Sequence, residues 1–112
     1  MFAISELDWK LFRRLQSVAL DLFCQRVLAE IDGIASDADK THHERYLAIF
    51  QRIKKRDKKL ANAFDEPRRS TAIQQLAYMQ SHALLTPKEM SDFSVETRRA
   101  VRFLLGENEL EA

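Results

Sequence analysis

The sequence predicts an all-α fold, on three observations. Only two Gly and two Pro occur in 112 residues, whereas an all-β chain needs turn residues at short intervals. Apolar residues recur at i, i+3, i+4 and i+7 over long stretches, which is the helical period. Ser or Thr stands at the head of most of these stretches, where a hydroxyl can accept from free backbone N–H groups. The expected architecture is a small bundle of two long helices, one medium helix and two short C-terminal helices. Residues 1–112 read as a single domain, large enough to hold a core without metal or disulfide support.

The chain is organised around residues 5–35, SELDWKLFRRLQSVALDLFCQRVLAEIDGIA. At 100° per residue its apolar side chains fill an arc of roughly 240°, far wider than the ~100° stripe of an ordinary surface helix. Leu11, Phe12, Leu15, Val18, Ala19, Leu22 and Phe23 form an inner face that should meet the second and third helices. Leu20, Cys24, Val27 and Ile31, with Trp9 at the N-terminal edge, form a second face. The short C-terminal helices cannot cover it along its whole length. A contiguous apolar patch of that kind is usually covered by a second copy, so a homodimer through this face is expected. Ser5 is the expected N-cap, with Glu6 and Asp8 in the first turn, where negative charge suits the helix dipole. Gly33 is the expected terminator. A helix through to Ala35 is about 45 Å long at the helical rise.

Residues 36–40 are a polar connector. Thr41-His42-His43-Glu44 is a capping box, in which the Thr hydroxyl and the Glu carboxylate satisfy each other's backbone N–H. It opens a helix over 41–64. Tyr46, Phe50, Ile53, Leu60 and Phe64 keep a helical spacing as its core stripe, and Ile49 widens it. Asp57 takes the missing place on that stripe. Buried, it would need Arg13, Arg14 or Arg26 as a partner; the simpler expectation is that the helix diverges there and Asp57 is wet.

Asp65-Glu66-Pro67 ends this helix and begins a third over 66–84, since proline is tolerated in a first turn. Ala72, Ile73, Leu76, Ala77, Ala83 and Leu84 lie on its apolar side, with Met79 at the margin. Thr86-Pro87-Lys88-Glu89 is the strongest local signal, joining an N-cap, Pro at the first helical position and Glu at the third. It opens a short helix ending near Phe93. Ser94 caps a last helix over 95–105, with Val101, Leu104 and Leu105 apolar, and Gly106 stops it. The acidic tail 107–112 is expected to fray. The stretch LAYMQSHALLTPKEMSDF, residues 76–93, resembles the helix–Leu-Thr-x-Glu-Glu–helix hairpins at the ends of many small bacterial proteins. That likeness implies local structure and no chemistry.

Charge is unevenly spread around a net of +1. Residues 40–60 hold eight basic and two acidic side chains, while both flanking segments are net acidic. Arg52, Lys54, Lys55, Arg56, Lys58 and Lys59, followed by Arg68 and Arg69, are the candidate partner-binding cations. They could meet nucleic-acid phosphate. They equally fit a solvated helix face, and the pI near 7.9 lies below the basic range of nucleic-acid domains.

Other chemistry finds little support. His42 and His43 are adjacent and so point about 100° apart, whereas helical metal ligands share a face at i, i+3 or i+4. Asp39-x-x-His42 is a single half-site without a match. Two glycines leave no phosphate-cradling loop, and no Gly-x-Ser-x-Gly occurs. No metal or cofactor is expected. Cys24 is the sole cysteine and reads as a small buried hydrophobe. The acidic N-terminus lacks a signal-peptide apolar region, and no run approaches the ~18 residues of a membrane span. The expectation is a cytoplasmic, non-enzymatic interaction or structural protein that pairs with itself. Nucleic-acid binding through the second helix is the alternative, and an enzyme ranks third.

Overall fold

The computed structural model describes residues 4–106. It is all-α, with helices α1 Glu6–Ala35, α2 His42–Phe64, α3 Ala72–Ser81, α4 Pro87–Ser91 and α5 Val95–Leu104. The four expected caps form. Ser5, Thr41, Thr86 and Ser94 each accept from the backbone N–H three residues on, and Thr41 and Thr86 close full capping boxes. The expectations for the tail 107–112 and for the first three residues lie outside the described residues.

α1 and α2 form a long antiparallel hairpin, and α3–α5 wrap only its base. The core is built from Ile4, Phe12, Leu15 and Ala19 of the N-terminal arm, Ala63 and Phe64 at the end of α2, and Leu76, Met79, Leu85, Phe93 and Val101 of the later elements. Between residues 20 and 62 no side chain is buried. The molecule is correspondingly elongated, 52 × 30 × 24 Å. Its radius of gyration of 17.0 Å exceeds the ~13 Å of a compact domain of this size.

Polar side chains tie this frame together where apolar burial is thin. Along the hairpin, Glu30 accepts a two-pronged contact from Arg56, at 3.0 Å from Nε and 2.9 Å from Nη2, and also pairs with Arg52. At its tip Arg45 donates to the Ala35 carbonyl at 2.6 Å. At its base Gln16 donates to the Phe64 carbonyl at 3.3 Å, and Gln75 to that of Asp65 at 2.8 Å. Each of these carbonyls lies at a helix C-terminus, where the last C=O groups have no partner within the helix.

Four expectations are corrected. Gly33 does not end α1; it lies inside the last turn, and Ser36 closes the helix through its N–H to Asp32. The third helix starts at Ala72, not 66. Glu66 sits at φ 46°, and the chain after Pro67 turns before it coils, with Thr71 N–H on Arg68 O at 3.1 Å and Ala72 N–H on Arg69 O at 3.4 Å. At its other end the helix stops at Ser81 in a Schellman motif: Leu84 N–H bonds to Met79 O at 2.9 Å and Ala83 N–H to Gln80 O at 3.0 Å. Ala83 takes the left-handed position, φ 55°, and is exposed, while Met79 is fully buried. Third, the α2 stripe is not core along its length. Phe64 is buried and Leu60 half-buried, but Tyr46, Phe50 and Ile53 are exposed, because the elements that would cover them stop short of the hairpin's outer half. Finally, Val18 of the expected inner face is exposed to solvent. Asp57 is exposed, as the simpler expectation had it.

Candidate interaction surface

The hairpin's outer half presents an open apolar face. On α2, Tyr46, Phe50 and Ile53 recur at i, i+4 and i+7 and are 67%, 59% and 50% exposed. α2 turns a different side toward α1, carrying Arg45, Ile49, Arg52, Arg56 and Leu60, all of which are half-buried. The stripe therefore lies on the flank of the hairpin. Across from it α1 contributes Cys24, Val27, Ile31 and Leu28, the last 63% exposed. A groove of about 320 Å³ runs between these α1 residues and Ile53, Arg56, Asp57 and Leu60 of α2, with Phe23 also lining it; Tyr46 and Phe50 lie outside it.

Three of the five residues expected on the second face of α1 gather at this site. Cys24, Val27 and Ile31 line the groove, and Leu20 is half-buried toward the core. Cys24, Val27 and Ile31 share this groove with Ile53, Asp57 and Leu60 of α2. Trp9 stands apart at the base. It stacks on Phe12 with ring centroids 5.5 Å apart, and the guanidinium groups of Arg13 and Arg69 approach its ring at 5.9 and 5.8 Å.

The eight candidate cations do not converge. Arg52 and Arg56 turn inward to Glu30, whose carboxyl is held below its usual range chiefly by the Arg56 hydrogen bond. Lys54, Lys55 and Lys58 stand on the outside of α2, around a shallow depression with Gln51. Lys59 is half-buried on the flank. Arg68 pairs with Glu66 at 3.1 Å, and Arg69 with Glu6, both in the base region.

On the other side of the hairpin, Phe23, Arg26, Glu30, Arg56, His82 and Leu84 enclose a smaller cleft. Arg26 donates to the carbonyls of His82 and Ala83 at 2.9 and 2.8 Å, capping the C-terminus of α3. Burial lowers the His82 pKa, and the cations Lys59 and Arg56 add to the effect. Sequence reasoning missed this cap: it offers Arg26 as a partner for Asp57, whereas the structure turns it to the end of α3. It also missed Asp8, which is buried against α5.

Among the described residues no three His, Cys, Asp or Glu side chains come together as a metal site, and His42 and His43 are exposed. No described helix is long and apolar enough to cross a membrane. Comparison with known protein families, with curated proteins and with solved structures finds no match to this chain.

Proposed function

We propose that this chain is a non-enzymatic interaction protein that works as a homodimer, using the open apolar face of the α1–α2 hairpin. The observation that carries the reading is the row Tyr46, Phe50 and Ile53, exposed in helical register beside the Cys24–Leu28 groove. Solvent contact along such a row is costly, and pairing with an identical face removes it. The charge pattern favours this over nucleic-acid binding. Two of the strongest cations, Arg52 and Arg56, are engaged by Glu30, and Arg68 and Arg69 lie away from the hairpin lysines. A reduced cytoplasmic setting suits the one free thiol, Cys24.

Sedimentation equilibrium of the full chain tests the reading: a dimer is expected. A particle that stays monomeric at millimolar concentration overturns it. Tight, salt-dependent binding to generic duplex DNA or RNA by such a monomer would shift the assignment to the α2 lysines.

A further inference from the structure

Resting on that homodimer reading, we infer how the two copies are arranged: the two-fold axis runs parallel to the hairpin, so that α1 of each copy lies on α2 of the other. The open face is bounded by charge of opposite sign on its two long edges. On α1, Asp21 and Asp32 lie within roughly 40° of Leu28 at the helical period, on the side away from the groove, and both are exposed. On α2, Lys54 and Lys58 follow Phe50 by one and two turns, drifting outward by roughly 40° and 80°, and they too are exposed. Among the described residues none of these four charges makes an ion pair within the chain.

With the helices of the two copies aligned, only two orientations of an in-plane two-fold axis relate such a face to itself. An axis across the helices sets α1 on α1 and α2 on α2, and each charged edge then meets its own sign. An axis along the helices sets the acidic edge of one copy against the basic edge of the other, on both sides of the apolar strip. It also keeps every residue at its own level along the hairpin. Arg45 bonds to Ala35, Arg52 and Arg56 flank Glu30, and Gln16 reaches Phe64. Those contacts put Asp32 and Asp21 within about one turn, ~5.4 Å, of the levels of Lys54 and Lys58, inside the reach of a lysine side chain. The product is an antiparallel four-helix bundle with Phe50, Ile53 and Leu28 inside it, closing over the half of the hairpin that α3–α5 leave open.

Charge exchange tests the arrangement. Lys54→Glu with Lys58→Glu makes both edges acidic, and Asp21→Lys with Asp32→Lys makes both basic. Each double variant is expected to weaken the dimer about tenfold or more, given four exposed pairs turned repulsive. The quadruple variant, with all four exchanges in one chain, restores opposite edges and is expected to dimerise within about threefold of wild type. An axis across the helices predicts otherwise, because each double variant then matches or exceeds the wild type. A wild-type dimer whose affinity is unmoved in the double variants, or whose loss the quadruple variant does not repair, overturns this arrangement and leaves the dimer reading standing. A monomeric wild type overturns both.

Discussion

The Asp8 carboxylate accepts from the buried Thr97 hydroxyl at 2.6 Å, joining the first turn of α1 to the first turn of α5 across 89 residues of chain. The same carboxylate accepts from Ser94 Oγ at 2.5 Å and from Ser94 N–H at 3.2 Å. Asp8 thus supports the N-terminus of α5 alongside its own Ser94 cap. Burial alone would raise its pKa. The hydrogen bonds from Ser94 and Thr97 outweigh that and leave it below the ordinary 3.8.

A depressed folded-state pKa has a defined sign. The stabilisation from Asp8 is complete above its unfolded value of 3.8 and is lost as pH falls through the lower folded value. Asp8→Asn is expected to cost about 1.5–3 kcal/mol near neutrality, the range for hydrogen bonds to a charged group. Its urea midpoint should also fall less steeply with acid than that of the wild type, because one carboxylate no longer takes up a proton on unfolding. Equal acid slopes would show that Asp8 is not the coupled group.

Ala83 occupies a left-handed position at the end of α3, where a Cβ is unfavourable. Ala83→Gly should stabilise the fold by about 1 kcal/mol. Its carbonyl would still accept from Arg26, so the gain isolates the backbone conformation. Chemical denaturation measures it, and a loss of stability would rule out strain at this position.

Thr86 accepts from Glu89 N–H at 3.0 Å, and Glu89 accepts from Thr86 N–H at 2.8 Å. Thr86→Ala removes half of this box and should lower stability by about 1 kcal/mol. An unchanged denaturation midpoint would mean that α4 does not depend on its cap.

Phe50 is the residue at which to break the proposed dimer. Leu20 is half-buried against the core, so Leu20→Glu would mix folding with assembly. Phe50 is exposed within the chain, and Phe50→Glu should leave the unfolding free energy of the monomer within about 0.5 kcal/mol of wild type, the usual range for surface changes. The same variant should abolish dimerisation in sedimentation. A dimer that survives it must use another face.

The sequence by itself determined the helices and their starts. Ser5, Thr41, Thr86 and Ser94 cap where they were read, because a cap is decided within four residues of chain. The end of α5 at Gly106, φ 76°, is local in the same way. The start of α3 is not legible in the same way, because proline's tolerance in a first turn permits a helix at 67 without requiring one. What only the tertiary structure decided is which apolar residues are covered. Phe64 and Phe50 share the same helical stripe, yet one is buried and the other exposed. Periodicity assigns a face to a residue, but burial depends on whether another element reaches that level. Here α3–α5 end at the base, and the outer half of the hairpin is left to polar pins such as Glu30 with Arg56. Asp8, Arg26 and Gln75 are illegible for a related reason: each serves the end of another helix, and no spacing within one helix encodes that partner.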